Sequence, residues 1–295
     1  MTLSAEAPAK VNLYLGVGDR GSDGYHQVRT VLCALDLCDD ITVDGSAALA
    51  VDSDAGLGVE ERDDLAWKAA AALGQAVGRE PAFRIRVRKR VPVGGGLGGG
   101  SSDAAAVIAA LERAWDVPAG DPRVVAVARG RGADVPFLLD GGCALLKGRG
   151  DVLARRLASP AVWFALVNPG VPLSTPAAYS EFDRLPRTVA PGTKTMEDAL
   201  ARGDAAAVGG SLFNNMTDAS TKIAPVIADL LSSVRSAPGC LGVSVAGSGS
   251  TVFGVFADSD AAAKAVRVAA DGGLWARVAR PRAGGTRASV KGVLS

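Results

Sequence analysis

The distribution of hydrophobic and polar positions predicts a series of β-strands, each with one apolar face. In the opening segment Val11, Leu13 and Leu15 alternate with more polar residues, so that Lys10 and Asn12 share the face opposite the core. Similar strand patterns follow at 27–44, 83–89, 162–167, 241–246, 251–256 and 275–279, with a hairpin at 144–157. Strands are therefore predicted in both halves of the chain.

Segments between these strands have the apolar spacing and the end signals of helices. Asp63 or Asp64 is a favoured N-cap for a helix that runs to about position 77 and ends at Gly78. Thr175 and Pro176 form a second start signal, an N-cap followed by proline at the first helical position. Further helices are predicted at about 101–115, 121–130, 195–202, 204–213, 222–236 and 259–271.

The order of these strands and helices, without a regular βαβ repeat, predicts an α+β fold for both halves. The composition changes near 158–162, which predicts a boundary between a first domain, 1–158, and a second domain, 159–295. A chain of 295 residues is long enough for two domains of ordinary size.

Composition and charge limit the partners of the chain. Hydrophobic residues make up 48% and charged residues 21%, as in soluble globular proteins. A formal net charge of +1 gives no electrostatic reason to expect nucleic acid or an anionic membrane as a partner. No segment approaches the run of about 20 apolar residues that crosses a membrane, and Glu6 and Lys10 interrupt the N-terminus before a signal peptide could form. We therefore expect a cytoplasmic protein.

The cysteines and the basic C-terminal residues carry little functional information by themselves. The four cysteines form no C-x-x-C pair, and with a single histidine they supply no recognisable zinc site. Reduced, buried thiols are the expected state in a cytoplasmic protein. Arg282, Arg287 and Lys291 are expected to belong to a solvated, frayed terminus.

A glycine-rich segment at 92–106 carries more functional information than any other part of the chain. Six glycines fall within the seven positions 94–100, where Leu97 supplies the one side chain. Glycine allows positive φ and a close approach of the backbone to another molecule. Because the segment follows a predicted strand and opens into a helix, it offers free N–H groups and the positive end of a helix dipole, which together bind phosphate. The predicted phosphate-binding residues are Pro92, Val93, Gly94, Gly95, Gly96, Leu97, Gly98, Gly99, Gly100, Ser101 and Ser102.

Other kinds of glycine-rich segment fit this sequence less well. Gly94, Gly96 and Gly99 formally match G-x-G-x-x-G, but a dinucleotide-binding fold needs a second strand with an acidic end about 20 positions later. Residues 116–132 instead read as a turn and a helix. No Gly-Lys-Ser/Thr of a Walker loop follows the glycines, and the His-Arg-Asp and Asp-Phe-Gly signatures of protein kinases are missing. A flexible linker is not normally flanked by a strand and a helix.

Four motifs in register resemble the GHMP kinases, a family that includes galactokinase, homoserine kinase and mevalonate kinase. They are Pro-Ala-Lys-Val-Asn-Leu at 8–13, Asp-Gly-Tyr-His at 23–26, Pro-Val-Gly-Gly-Gly-Leu-Gly-Gly-Gly-Ser-Ser at 92–102 and Gly-Ala-Asp-Val-Pro-Phe at 132–137. The set is similar to that of the members that phosphorylate 4-diphosphocytidyl-2-C-methyl-D-erythritol in the non-mevalonate route to isoprenoids. The resemblance implies an N-terminal kinase domain, a ferredoxin-like C-terminal domain and an active site between them.

Lys10 and Asp134 are the predicted catalytic residues. On a bare strand Lys10 would be an ordinary surface lysine, and Asp134, two residues before a proline, would be a helix N-cap. The resemblance implies instead that both lie in the catalytic centre, where Asp134 accepts the proton of the attacking hydroxyl. Lys10 would stabilise phosphate charge or hold a carboxylate in place.

The resemblance also implies a set of substrate-binding residues. It assigns Tyr25 and His26, two planar groups beside a turn, to a cytosine, although a lone histidine is more often structural. Tyr179 falls where the family has a second aromatic residue, or it is a core tyrosine. The segment 247–249 faces the active site in the family, or it forms a simple bulge or tight turn. The predicted substrate-binding residues are Asn12, Tyr25, His26, Thr175, Tyr179, Gly247, Ser248 and Gly249.

ATP is the implied phosphate donor, and Mg²⁺ is inferred from the use of ATP. Ser101 and Ser102 are expected to cap the helix after the loop, and they can also touch phosphate or Mg²⁺. The implied partner is a small molecule, and the protein would act as a monomer or a homodimer. Another GHMP kinase, acting on homoserine or mevalonate, and a nucleotide-binding sensor are the alternatives. A sensor would have no need of Lys10 and Asp134.

Overall fold

The computed structural model describes residues 2–56, 58–186 and 188–293, which form two β-sheets and their covering helices. The strands are β1 Thr2–Arg20, β2 His26–Gly45, β3 Ala50–Ser53, β4 Phe83–Arg88, β5 Cys143–Lys147, β6 Val152–Leu157, β7 Trp163–Asn168, β8 Phe213–Asn214, β9 Cys240–Val245, β10 Val252–Phe256, β11 Trp275–Ala279 and β12 Lys291–Val293. The helices are α1 Leu65–Val77, α2 Gly99–Ala114, α3 Pro122–Arg131, α4 Val135–Asp140, α5 Thr175–Phe182, α6 Lys194–Arg202, α7 Ala205–Gly210, α8 Thr217–Ile223, α9 Val226–Arg235 and α10 Ser259–Asp271.

The larger sheet is built on the long antiparallel pair β1 and β2, with the order β12-β1-β2-β4-β3. The first part of β2 pairs with β5 and its last part pairs with β4, so β2 serves two groups of neighbours. The register between β1 and β2 shifts at Pro8/Lys10 and at Asn12/Tyr14. Both shifts lie in the part of β1 that carries Lys10 and Asn12. A bulge changes the direction of nearby side chains, so the two shifts help to set the directions of these residues.

Helix α2 lies at the centre of the first half and is buried on all sides. Its residues 102–112 are all buried, because α1, α3 and α4 pack around it and β1 and β2 lie beneath it. Asp64 caps α1 through its side chain, and Gly78 ends α1 in the left-handed conformation, as the sequence predicts. Burial of α2 holds its N-terminus, and therefore the end of the glycine segment, in a fixed position.

The smaller sheet has the order β11-β7-β10-β9, in which all neighbours are antiparallel. With α9 before β9 and α10 between β10 and β11, this is the ferredoxin-like split βαβ arrangement. One core cluster includes Val11 and Leu13 of β1 together with Phe164 and Phe253 of this sheet. The two sheets therefore share a core, and the α+β fold with a ferredoxin-like second half is confirmed.

The chain passes from the larger to the smaller sheet between Leu157 and Trp163, close to the predicted boundary at 158. Two later strands return to β1, since β8 pairs with its middle and β12 with its start. The division into 1–158 and 159–295 therefore stays a prediction. Cys33, Cys38, Cys143 and Cys240 are free thiols, and the first three are buried. Within the described ranges, every helix is too short or too polar to cross a membrane.

Three local predictions are wrong. The N-cap of α5 is Ser174 rather than Thr175. The helix predicted at 222–236 is two helices, because Pro225 lacks an N–H and the residue before a proline disfavours the α conformation. The C-terminal basic residues are not a frayed terminus: Arg282 pairs with Glu6, and Arg287 pairs with Glu112 and Asp140.

Candidate active site

A cavity of about 540 Å³ brings most of the predicted site residues together. The predicted residues on its wall are Lys10, Asn12, Pro92, Val93, Gly94, Gly95, Gly96, Leu97, Gly98, Gly99, Gly100, Ser101, Asp134, Thr175, Tyr179, Gly247, Ser248 and Gly249. Ser102, Tyr25 and His26 lie outside this wall. Residues from both predicted domains thus face one space.

The glycine loop, residues 92–100, is packed tightly between β1 and the segment that precedes β10. Gly94, Gly96 and Gly98 all have positive φ, at 67°, 76° and 74°. A Cβ at Gly96 would overlap the carbonyl oxygen of Ala246 and lie 2.8 Å from that of Gly249. Glycine is therefore required at position 96 by backbone packing between the two halves of the protein, besides any approach of a phosphate.

The end of the glycine loop meets the predicted catalytic residues. A Cβ at Gly98 would lie 3.1 Å from Cε of Lys10 and 3.7 Å from Oδ2 of Asp134. The backbone N–H of Lys10 donates to the carbonyl of Leu97 at 2.9 Å. The loop and strand β1 are therefore joined at the residue that carries the lysine.

The two serines do not cap α2, contrary to the prediction. The helix begins at Gly99 with Gly98 as N-cap, and the glycine offers no side chain for capping. Ser101 lies on the cavity wall, whereas Ser102 is buried and its Oγ has no hydrogen-bond partner among the described residues. The N–H groups of the first helical turn are therefore left without a capping side chain, at the position where an anion is favoured.

Lys10 and Asp134 form the predicted pair. The Lys10 Nζ lies 3.5 Å from Asp134 Oδ2 and donates to Asn12 Oδ1 at 2.9 Å. Asn12 in turn donates to the hydroxyl of Thr30, which donates to the carbonyl of Tyr14. This series of hydrogen bonds fixes the Asn12 amide with its oxygen toward the ammonium group. Lys10 is buried, and its ammonium group is positioned by Asn12 and Asp134.

The alternative role of Asp134 as a helix cap is not supported by its geometry. Asp134 stands at the N-cap position of α4 but makes no side-chain capping hydrogen bond, and its backbone is in the helical region. Its carboxylate faces Lys10 instead and is 28% exposed, so it remains accessible from the cavity. A carboxylate in this position can accept a proton from a hydroxyl group.

The segment 247–249 is held against the same pair. A Cβ at Gly247 would lie 3.2 Å from Lys10 Nζ and 3.1 Å from the carbonyl oxygen of Gly96. Asn214 donates to the carbonyls of Val245 and Gly247 at 2.9 and 2.8 Å, which fixes the segment. It is therefore part of the site wall rather than an isolated turn between strands.

Thr175 and Tyr179, on α5, form another side of the cavity. The hydroxyls of Thr175 and Ser248 are 3.2 Å apart. Burial, together with the nearby negative charge of Asp134, raises the pKa of the Tyr179 phenol to about 12. Tyr179 is therefore a neutral phenol at physiological pH and lies within electrostatic range of the predicted base.

Tyr25 and His26 have different surroundings. His26 is buried, with Nδ1 2.8 Å from the carbonyl of Gly18 and Nε2 3.2 Å from Oδ1 of Asp183. Its ring centroid is 5.3 Å from that of Tyr179. Tyr25 is 55% exposed, and its ring is covered by the Arg149 guanidinium at 4.6 Å. The structure therefore joins His26 to Tyr179 and Tyr25 to Arg149.

A buried charge cluster behind the glycine loop was not predicted from the sequence. Lys89 Nζ lies 2.6 Å from Asp39 and 2.7 Å from Asp103, and Asp39 also accepts the N–H groups of Arg90 and Val91. Burial, with the charge of Asp39, raises the pKa of Asp103 to about 7, although Lys89 lowers it. The cluster connects both ends of the loop to β2.

Asn214 and Asn168 also support the site, and sequence reasoning missed them. Asn168, at the end of β7, donates to the Thr251 hydroxyl at 2.9 Å and accepts from the Gly170 N–H. Both asparagines stand at strand ends, where a side chain can satisfy backbone groups of a neighbouring loop. An isolated asparagine next to a strand is a weak signal, because the loop it binds is distant in sequence.

The comparisons with known proteins agree with this geometry. Residues 64–142 match the GHMP kinases N terminal domain, and residues 196–273 match the GHMP kinases C terminal domain. A 4-diphosphocytidyl-2-C-methyl-D-erythritol kinase of Nocardia farcinica is 41% identical over 275 residues, covering 90% of this chain and 87% of the relative. The chain belongs to the GHMP kinase family. A Streptomyces coelicolor protein of the same name is 38% identical, over 89% of this chain and 90% of its own length.

Solved structures of GHMP kinases have the same fold. The crystal structure of a 4-(cytidine 5'-diphospho)-2C-methyl-D-erythritol kinase is 33% identical, with a TM-score of 0.77, over 95% of this chain and 100% of that one. A homoserine kinase from Cytophaga hutchinsonii has a TM-score of 0.75 at 20% identity, over 98% and 96% of the two chains, and shares the fold. The predictions of a small-molecule kinase and of the two-part GHMP architecture are confirmed.

Proposed function

We propose that this GHMP kinase transfers the γ-phosphate of ATP to the 2-hydroxyl of 4-diphosphocytidyl-2-C-methyl-D-erythritol, giving the 2-phosphate and ADP. The observation that carries the proposal is the position of Lys10 and Asp134 at the end of the glycine loop. The pair is separated by 3.5 Å, and both side chains lie close to the Cα of Gly98. A phosphate held by the loop would therefore be adjacent to a base and a cation.

Asp134 is the proposed general base. As the substrate oxygen forms its bond to the γ-phosphorus, the hydroxyl proton passes to the Asp134 carboxylate. The bond between the γ-phosphorus and the bridging oxygen breaks, and ADP leaves with the electron pair. The 28% exposure of this side chain and its direction toward the cavity support the role.

Lys10 is the proposed electrostatic partner of both the base and the phosphate. Its ammonium group is held by Asn12 at 2.9 Å and by Asp134 at 3.5 Å, and Gly247 lies close to it. A preorganised cation stabilises charge that develops on the transferred group without reorganisation at the moment of reaction. Asn12 is a positioning residue, since it acts through the lysine.

The residues of the loop fit the phosphates of a nucleoside triphosphate. The glycines leave backbone N–H groups uncovered, and the start of α2 has no capping side chain. Mg²⁺ supplies charge neutralisation for the phosphates when it is bound with ATP. The described residues contain no cluster of three histidine, cysteine or acidic side chains for a metal, so the phosphates themselves would supply most of its ligands.

The cytidyl end of the substrate is proposed to lie near Tyr25, His26 and Tyr179, with Thr175 and the segment 247–249 beside its phosphates. The hydrogen bond between Thr175 and Ser248 supports a common surface for these residues. We also propose a cytoplasmic location and a monomeric or homodimeric state, both from the sequence and the family.

Release of ADP in a coupled assay tests the function. We expect rapid ADP formation with ATP, Mg²⁺ and the cytidyl substrate, and little without the substrate. A panel that includes homoserine and mevalonate separates this reaction from others of the family. Faster turnover of either compound would contradict the proposed substrate, and no turnover of any alcohol would favour a nucleotide sensor.

A further inference from the structure

The turn between β5 and β6, residues 148–150, lies beside the catalytic pair. The carbonyl of Gly148 accepts the N–H of Val28 at 2.7 Å, which fixes the turn on strand β2. A Cβ at Gly150 would lie 4.0 Å from the methyl groups of Ala133 and Thr30. Ala133 precedes the proposed base, and Thr30 holds the Asn12 amide. The turn therefore lies next to two residues that adjoin or position the catalytic pair.

Arg149 stands at the centre of this turn, and its side chain packs on Tyr25. Its guanidinium carbon lies 4.6 Å from the centroid of the Tyr25 ring, and the residue lines the cavity. A guanidinium stacked on an aromatic ring is held in place while its N–H groups, which lie in the plane of the group, remain available. Arg149 therefore presents hydrogen-bond donors beside Tyr25, on the wall of the cavity that Asp134 also lines.

These donors have little to bind within the described part of the chain. The guanidinium forms an ion pair with Asp151 at 3.8 Å, which is beyond hydrogen-bond distance. Asp151 instead accepts the backbone N–H of Arg149. The side chain is 44% exposed, so the donors are open to the cavity and to solvent.

The other two cations of the cavity wall are already engaged. Lys89 is held by two buried carboxylates at 2.6 and 2.7 Å. Lys10 is held by Asn12 and faces Asp134. Among the cations that line the cavity in the described ranges, Arg149 is thus the one without a hydrogen-bonded side-chain partner.

We propose that Arg149 binds the diphosphate of the substrate. This inference rests on the proposed function. In that substrate a diphosphate connects the cytidine to the sugar alcohol. Arg149 stacks on the aromatic ring proposed for the base and lines the cavity that holds the carboxylate proposed for the hydroxyl. A guanidinium binds phosphate oxygens through two parallel hydrogen bonds, which a point charge such as lysine cannot reproduce.

Calorimetry with cytidine and CDP, in the presence of saturating ADP to occupy the glycine loop, tests the proposal. The variants are Arg149→Met and Arg149→Lys, and the control is Lys147→Met, which removes a charge from the same hairpin but lies on the wall of a different cavity. We expect Arg149→Met to weaken CDP binding by about 10- to 100-fold, the usual effect of losing charge-assisted hydrogen bonds. Cytidine binding should change little, Arg149→Lys should be intermediate, and Lys147→Met should resemble the wild type.

The steady-state rates give an independent readout. Because the diphosphate is remote from the reacting hydroxyl, Arg149→Met should raise KM for the cytidyl substrate more than it lowers kcat. An unchanged preference for CDP over cytidine in Arg149→Met, or an equal loss of both ligands, would overturn the diphosphate role. A wild-type protein that binds neither ligand would refute the substrate assignment itself, and the role of Arg149 with it.

Discussion

Replacement of Gly96 by alanine should destabilise the protein even when no nucleotide is bound. A Cβ at this position overlaps the carbonyl oxygen of Ala246 and lies 2.8 Å from that of Gly249. Both are backbone atoms of the segment that closes the site from the second half of the chain, so neither can rotate away. The glycine loop and this segment would have to separate.

The size of the effect follows from two contributions. The φ of Gly96 is +76°, and an L-residue in the left-handed region costs about 1–2 kcal/mol. Overpacking of a well-packed contact costs about 1–3 kcal/mol. Together they predict a loss of about 2–5 kcal/mol in the free energy of unfolding. Gly100 is the matched control, because it lies in the first turn of α2 and a Cβ there would meet Leu65 at 3.4 Å, an ordinary contact.

Urea unfolding without nucleotide measures the difference between the two variants. Gly100→Ala should be as stable as the wild type or more stable by at most about 1 kcal/mol, since alanine favours a helix. Gly96→Ala should unfold at a lower urea concentration, because the glycine loop has to move away from the carbonyls of Ala246 and Gly249. If both variants were equally stable and Gly96→Ala lost only ATP affinity, the packing argument would be refuted, and position 96 would be glycine for the ligand alone.

Three further predictions concern the catalytic pair, the substrate and the buried charges. Asp134→Asn should lower kcat by about 10²–10⁴-fold with little change in ATP affinity, and the double variant with Lys10→Met should lose much less than the product of the two effects; full additivity would show that the residues act separately. Tyr25→Leu should weaken binding of the cytidyl substrate by about 10- to 100-fold without affecting ATP, which competition by CMP can measure. The pKa of Asp103 is raised to about 7 in the folded state, so its carboxyl keeps a proton up to about that pH. In the unfolded chain the same carboxyl has the ordinary pKa of about 4 and is ionised above it. Stability should therefore fall as the pH rises from about 4 to 7; Asp103→Asn should flatten this dependence in urea unfolding, and equal slopes would contradict the assignment.

Local signals in the sequence were sufficient to predict most elements and the glycine loop before α2. The ends of α1 were predicted at Asp63 or Asp64 and at Gly78, because capping depends on a few adjacent residues. The glycine loop was recognisable because its backbone conformation and its position before a helix are properties of one continuous segment. The catalytic roles of Lys10 and Asp134 were predicted from motifs of the GHMP kinase family. Their residue types alone would have predicted a surface lysine and a helix cap.

Tertiary structure decided which distant residues meet and what each glycine of the loop is for. No local pattern relates Gly96 to Ala246, or Lys89 to Asp39 and Asp103, because these contacts depend on how the two sheets pack. The same holds for Arg149, whose place beside Tyr25 on the cavity wall follows from the docking of a hairpin turn on β2. Sequence determines conformation where the interactions are short-range, whereas the electrostatics of a site depend on burial and on neighbours that only the folded chain brings together.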